Sequence, residues 1–234
     1  MRRVRDGDER DSIYSKYFTR IGHLVRGTIK DHYGTGFLVN LEDGMDAILP
    51  RSQQSAVERL IKQERIRAVI TKVTRDAQSP QEVVELSRRS SVFLQRLFEQ
   101  EVDEILGGKV VIKAAGREAG KRGKIAVIST DPHVDPIAAC LGPKDAHIRA
   151  INRELRGEKI DVIEWSDEPT VLAVRALAPA KISEVRVIDT EGRAMDAIVS
   201  EDQMELASGK QGENLRAASE LVGWRIHLTP ENET

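Results

Sequence analysis

The sequence predicts an α+β protein of several domains, in which a small five-stranded β-barrel is followed by two copies of one α/β unit. Three features predict it. From 21 to 90 the hydrophobic pattern has a period of two and is cut into short runs by Gly22, Gly27, Gly34, Gly36 and Gly44. From 91 to 108 the period changes to steps of three and four, as in an amphipathic helix. From 109 onward the chain repeats itself. The length of 234 residues agrees, since it corresponds to roughly two or three domains.

Composition narrows the class. The chain is 40% hydrophobic and 32% charged, which is globular rather than disordered, and only 4% aromatic, which favours several small cores of Val, Ile, Leu and Ala. The single cysteine, Cys140, excludes an internal disulfide and a multi-cysteine zinc site, and fits a reducing cytoplasm. No apolar run is long enough to cross a bilayer, and MRRVRDGDERDS carries basic residues with no apolar stretch behind them, unlike a secretory signal. With a formal net charge of −2, any nucleic-acid surface must come from local clusters of charge.

Residues 1–20 mix Arg2, Arg3 and Arg5 with Asp6, Asp8, Glu9 and Asp11 and read as a solvated leader, turning helical at SIYSKYF with Ser12 as its cap. In 21–90 the runs HLVRGTIK, GFLVNL, MDAILP, RIRAVITKV and VVELSR are the five strands of a small closed barrel of the OB type. Between the third and fourth, QQSAVERLIKQE is a short helix or a loop. In 91–108, Val92, Leu94, Leu97, Phe98, Val102, Ile105 and Leu106 line one helix face, Gly107 and Gly108 end it, and the helix links the barrel to the repeated units.

The α/β units occupy 109–178 and 179–230, with a tail at 231–234. IAACLGPKDAHIRAINREL lies over MELASGKQGENLRAASELV without a gap, so that Gly142 meets Gly209, Ile148 meets Leu215, Arg149 meets Arg216 and Ala150 meets Ala217. A one-residue slip then brings Leu155 over Leu221 and Ile160 over Ile226. Each copy is preceded by a β run, KIAVIST or MDAIVS, and followed by another, EKIDVIEW or WRIHLT.

Each copy also places a tight four-residue turn between two helices. In the second the turn is Gly209-Lys210-Gln211-Gly212, the GXXG of a KH domain, which clamps about four nucleotides of single-stranded backbone. An isolated GXXG is more often an ordinary turn; the β-β-α-α-β frame and its repetition favour the KH reading. Glycines let a phosphate approach the backbone and accept positive φ, and the amides at the start of the next helix favour an anion. Lys210 adds charge, and Asn214 and Arg216 on the following helix are placed to reach a base edge or a phosphate. The first turn reads Gly142-Pro143-Lys144-Asp145, followed by Arg149. Asp145 brings a negative charge to the spot meant for phosphate, a repulsion of about 1 kcal/mol even at high dielectric, so the first clamp is weakened or lost. Asp is also a favoured N-cap, and Asp145 has that reading too.

With these segments in view, the chain resembles the NusA family of bacterial transcription factors. KIAVISTDPHVDPIAACLGPK, INRELRGEKIDVIEW and ALAPAKI look like the family's first KH module and its junction with the second, and ASGKQGENLRAASELVGWRIHL looks like the second. GHLVRGTIK through ILPR to ELSR resembles its S-one RNA-binding barrel, and FLQRLFEQEVDEI its connecting helix. The resemblance covers nearly the whole chain from about Tyr14. It implies KH domains of the bacterial type II, single-stranded nascent RNA as ligand, no catalytic centre and no cofactor. It further implies RNA polymerase and other elongation factors as partners, and control of pausing, termination and antitermination; a cytoplasmic monomer is expected. The family carries a polymerase-contacting domain before the barrel, and Met1 falls close to where that domain would end, which fits either an excised core or a natural short form.

Other surfaces are candidates. Lys109, Lys113, Arg117, Lys121, Arg122 and Lys124 stand against only Glu118, and GREAGKRGK reads either as an exposed basic loop that pairs with phosphates or as a solvated hairpin. On the barrel, His32, Tyr33 and Phe37 lie where such folds hold base-stacking aromatics, with Arg51 at the end of the next strand. Phe37 has a core reading beside the RNA reading, and Tyr33, next to Gly34, is the better exposed ring. Trp165, Trp224 and Cys140 read as packing residues. Two rival functions remain: an RNA-binding protein of RNA processing or translation, and a metal-dependent nuclease. For the nuclease, Asp131 with Asp135 and Asp161 with Glu164 are the nearest acidic pairs, with no histidine base in support.

Overall fold

The computed structural model describes residues 14–75 and 82–233. The chain divides into two compact units, Met1–Arg96 and Leu97–Thr234.

In the first unit a short helix, α1, spans 14–18. Five strands come after it: β1 (Leu24–Tyr33), β2 (Gly36–Leu41), β3 (Asp46–Leu49), β4 (Arg65–Arg75) and β5 (Glu82–Ser87). They form a closed barrel in the order β1-β2-β3-β5-β4. All ladders are antiparallel except β3 with β5, which pair in parallel at Ile48 and Glu85. Period-two patterning turns Ile29, Val39, Ala47, Leu49, Ile70 and Leu86 into one core.

One departure from expectation concerns this unit. The leader is not solvated throughout: Tyr17 is 1% exposed, belongs to the barrel core and donates its hydroxyl hydrogen bond to Asp43. An aromatic ring beside an unfilled core gains more by burial than by solvation. The Ser12 cap lies outside the described residues. Of the two readings of QQSAVERLIKQE, the loop is what the structure has: a 3-10 turn at Arg51–Gln53 leads into it, and loop runs on to β4. It is pinned by Glu58, which takes the guanidinium of Arg88 (Nε to both carboxylate oxygens, 2.9 and 3.0 Å) with both side chains buried.

The expected helix over 91–108 is two helices, α2 (Ser91–Glu101) and α3 (Asp103–Leu106), broken at Val102, whose backbone is extended (φ −115°). Phe93, Leu94, Leu97, Phe98 and Val102 are buried, but Leu106, read as part of the apolar face, is exposed.

The second unit contains both α/β repeats. The first runs β6 (Val110–Glu118), β7 (Arg122–Ser129), α4 (Pro136–Leu141), α5 (Ala146–Glu154) and β8 (Lys159–Glu164). Helix α6 (Pro169–Ala176) then leads to β9 (Glu184–Asp189), β10 (Ala194–Val199), α7 (Glu201–Ser208), α8 (Glu213–Val222) and β11 (Arg225–Pro230). The sheets are ordered β6-β7-β8 and β9-β10-β11, each with one antiparallel and one parallel ladder, so the repeat in sequence is a repeat in topology. One core joins the copies: Ala126 and Ile163 of the first, Leu172, Ala173 and Ala176 of α6, and Met195, Ala197, Ala218 and Leu221 of the second, with Trp165 and Trp224 packed against it.

The contact between repeats is close. A Cβ on Gly116 of β6 would lie 2.0 Å from the Ala217 carbonyl oxygen of α8, so only glycine allows strand and helix backbones to meet there. Next to it, the Arg117 amide donates to Glu220 at 2.8 Å.

The basic stretch is corrected here, because only part of it faces solvent. Arg117 is buried on Glu158, its Nε and Nη2 reaching the two carboxylate oxygens at 2.8 and 2.9 Å. Lys124 is fully buried, with its ammonium on Asp161 and on the Ala178 carbonyl. Arg122 is bidentate on the same Asp161 at 2.7 and 3.1 Å. Burial pushes the Lys124 ammonium down to about 8 against the pull of Asp161. Burial works to raise the Asp161 carboxyl, but Arg122 and Lys124 together hold it below the ordinary carboxylate range.

Candidate nucleic-acid interface

The two turns have one backbone. The first glycines, Gly142 and Gly209, sit at φ/ψ 73°/173° and 77°/166°. The third residues, Lys144 and Gln211, are left-handed at φ 52° and 59°, and the fourth, Asp145 and Gly212, are left-handed at φ 58° and 77°. Each turn closes in the same way, the amide of the fourth residue donating to the carbonyl of the first at 3.1 and 3.0 Å.

Their chemistry differs. At the second turn, Lys210 and Gln211 are exposed, and among the described residues their amides find no acceptor, so two N–H groups face outward at the start of α8. At the first turn Pro143 has no amide proton, and the fourth residue carries a carboxylate. Asp145 occupies the N-cap position of α5, but its side chain makes no capping bond; its left-handed backbone turns the carboxylate away from the helix amides. Its helix-capping reading is therefore corrected, and Pro143, Lys144 and Asp145 are exposed. A cleft of about 450 Å³ opens beside this turn, walled by Gly142, Pro143, His147, His133, Asp135 and Glu104. No lysine or arginine lines it, so it suits no phosphate.

Asn214 does not reach nucleic acid. It is fully buried, and its amide donates to the carbonyls of Leu177, Leu206 and Ala207 at 3.0–3.2 Å. It ties α8 to the end of α7, which sets the turn from inside. The overlay of the copies contained the clue: His147 aligns with Asn214, and its Nδ1 lies 3.1 Å from the Ala139 carbonyl, the counterpart of Leu206. A carbonyl only accepts, so Nδ1 carries the proton and donates.

Arg216 is exposed beside the second turn, its guanidinium over Gly212 and its Nε on Glu118 of β6 at 2.8 Å. Lys121, in the loop between β6 and β7, reaches Gln211 of the same turn at 2.8 Å. The structure thus brings Lys121 and Arg216 to Gly209–Gly212 but turns Arg122 inward onto Asp161. Arg149 is exposed on α5.

On the barrel Tyr33 is 52% exposed at the end of β1, and Arg51 is exposed with its Nη1 on Gln54. Phe37 is corrected: it is buried in the barrel core, and His32, exposed above it, is 5.0 Å away between ring centroids. Its place on β2 directs it inward, in step with Val39 and Leu41.

Each residue of the acidic pairs has a partner within the chain. Asp135 caps α4 through the amides of Ile137 and Ala138, Asp131 accepts from His133, Asp161 holds Lys124 and Arg122, and Glu164 pairs with Arg175.

The comparisons with known proteins keep the same order along the chain. Residues 19–81 match the S1 RNA binding domain family, 88–165 the NusA-like first KH domain and 169–234 the NusA-like second KH domain. A Halalkalibacterium halodurans protein described as transcription termination/antitermination protein NusA is 40% identical over 231 residues, which is 99% of this chain and 59% of that protein. Its Bacillus subtilis counterpart is 39% identical over 99% of this chain and 61% of its own length. The Mycobacterium tuberculosis protein of the same description is 37% identical over 97% of this chain and 67% of its own. The chain therefore spans about 60% of the length of the first two relatives. Barrel, connecting helices and both KH repeats are matched in order and together, and the chain belongs to the NusA family.

Proposed function

We propose that this chain binds single-stranded RNA and is the RNA-binding part of a factor that controls pausing, termination and antitermination by bacterial RNA polymerase. The observation that carries the reading is the second turn. Gly209 and Gly212 both take positive φ, the amides of Lys210 and Gln211 find no acceptor among the described residues, and Lys210 and the Arg216 guanidinium stand beside the turn. That is a phosphate clamp, and base contacts along the flanking helix and stacking on Tyr33 would add sequence preference. The relatives' names supply the transcriptional setting; RNA polymerase and other elongation factors are the partners, and the factor acts as a monomer in the cytoplasm.

The test is titration of labelled single-stranded RNA at two salt concentrations with wild type, Gly212→Asp and Asp145→Gly. The first repeat shows that aspartate fits this backbone, since Asp145 adopts φ 58°, and the added Cβ meets the end of the flexible Arg216 side chain at 2.8 Å, so Gly212→Asp keeps the fold once Arg216 shifts. A carboxylate against phosphate is expected to weaken binding roughly tenfold. Asp145→Gly tightens it by less, because Pro143 still withholds an amide. Unchanged affinity in both variants removes the KH turns as the binding site.

A further inference from the structure

We propose that the phosphate clamp of the second KH repeat is a composite site, completed by Lys121 from the hairpin of the first repeat. The inference rests on the RNA-binding reading above and adds a ligand-contacting residue to that site.

The second turn supplies one cation of its own, Lys210. Lys121 lies at the tip of the β6–β7 hairpin, 90 positions before Gln211, yet its ammonium is 2.8 Å from the Gln211 side-chain oxygen. Gln211 is the third residue of the turn and carries one of the two amides that find no acceptor among the described residues. A phosphate against those amides would therefore meet the Lys121 ammonium as well. Lysine is a compact point charge on a flexible stem and can leave a glutamine oxygen for a phosphate oxygen with little rearrangement.

The hairpin is held in place independently of Lys121. Gly116 puts β6 in backbone contact with α8, Glu220 takes the Arg117 amide, and Glu118 takes Arg216 at 2.8 Å. Glu158 accepts from the Gly120 amide at 2.7 Å, which fixes the bend just before Lys121. Three of these contacts cross between the repeats, so the charge is presented to the second turn by a rigid support.

The test uses the full chain with fluorescein-labelled single-stranded RNA of mixed sequence, titrated across a salt series. The variants are Lys121→Ala, Lys121→Arg, Gly212→Asp and, as a control on the exposed cation before β9, Lys181→Ala. Lys121→Ala is expected to weaken binding about threefold to fivefold and to reduce the slope of log affinity on log salt by about 0.7, the loss of one phosphate contact on a single strand. Lys121→Arg restores both, Lys181→Ala changes neither, and the thermal midpoint of free Lys121→Ala stays at the wild-type value. If Gly212→Asp weakens binding while Lys121→Ala leaves the slope unchanged, the composite clamp is overturned and the RNA-binding reading stands. If Gly212→Asp binds as wild type, the reading beneath it fails. A fall in the midpoint of Lys121→Ala with an unchanged slope gives Lys121 a structural role and also overturns the proposal.

Discussion

Asp161→Asn should destabilise the second unit by about 3–4 kcal/mol at pH 7, with a cost that shrinks as the pH rises. Asp161 is a single carboxylate shared by two shielded cations, Lys124 with a side chain 0% exposed and Arg122 at 14%. Removing its charge leaves Lys124 a choice between staying charged without a counterion and shedding a proton. Because burial already holds its ammonium down at about 8, neutralising it at pH 7 costs about one pH unit, on the order of 1 kcal/mol, and that caps this part of the loss. The bidentate bonds from Arg122 are charge-assisted and largely shielded from water, worth about 1.5–3 kcal/mol. The sum agrees with the roughly 3–5 kcal/mol typical of breaking a buried ion pair from one side. At about 2.1 cal/mol/K per residue, a unit the length of Leu97–Thr234 should lose on the order of 10 °C of midpoint. The pH dependence has a definite sign. Lys124 in the folded chain lies below its ordinary 10.5, so between about 8 and 10.5 the unfolded chain binds more protons and this group adds stability as pH rises. Without Asp161, whose charge pulls the Lys124 ammonium up, that group falls below about 8, so over pH 7–8.5 the variant gains more stability than the wild type does; the deficit of Asp161→Asn should be about 1 kcal/mol smaller at pH 8.5 than at pH 7, and Lys124→Met added to Asp161→Asn should recover a similar amount. Urea unfolding at the two pH values reads both. A deficit below about 1 kcal/mol at pH 7, or one that neither pH nor Lys124→Met alters, would refute the reasoning.

Three further outcomes are expected. Burial works to raise the Asp43 carboxyl, but hydrogen bonds from Tyr17, Lys16 and the Met45 amide hold it at about 2; a depressed folded value gives stability that is present above 3.8 and lost as pH falls through about 2, so acid unfolding of the barrel followed by near-UV circular dichroism should be less steep over that window in Asp43→Asn. Tyr33→Ala should weaken RNA binding by about 1–3 kcal/mol at unchanged stability, whereas Phe37→Ala should cost the barrel about 3–5 kcal/mol; loss of affinity in a fully stable Phe37→Ala protein would return Phe37 to the binding surface. Gly116→Ala places a methyl against backbone atoms at 2.0 and 2.5 Å, so α8 must move off β6, with a loss of about 1–3 kcal/mol or more in thermal unfolding and a weaker second clamp in RNA titration.

The parts of the molecule legible in sequence are those whose signal is local. Period-two runs between glycines gave the five strands, and self-similarity at a spacing of 67 gave the paired KH frame, as the matching dihedrals of Gly142 and Gly209 show. What was not legible depends on partners far along the chain. Arg117 and Lys124 looked like members of an exposed basic loop because Glu158 and Asp161, which neutralise them, lie 41 and 37 positions away; Lys124 and Asp161 become neighbours only through the parallel register of β7 and β8. Asn214 had the right spacing to face a ligand, but a polar side chain just after a turn can equally bond back to the carbonyls of the preceding helix, and three of them claim it. Tyr17 sat in a charged segment whose average character hid one buried ring.

Asp145 carries the last step. It is left-handed at φ 58° without a glycine's freedom, so the frame of two helices, closed by the fourth amide on the first carbonyl, imposes the turn. Glycine at 212 is then required less for conformation than for leaving room for the Arg216 guanidinium and keeping negative charge away from the amides. The first copy has given up that requirement at two positions, Pro143 and Asp145, while its hairpin keeps Gly116, Glu118 and Lys121 against the second copy. On the RNA-binding reading proposed above, the two repeats divide the labour: the second holds the clamp, and the first positions α8 and the charges around it.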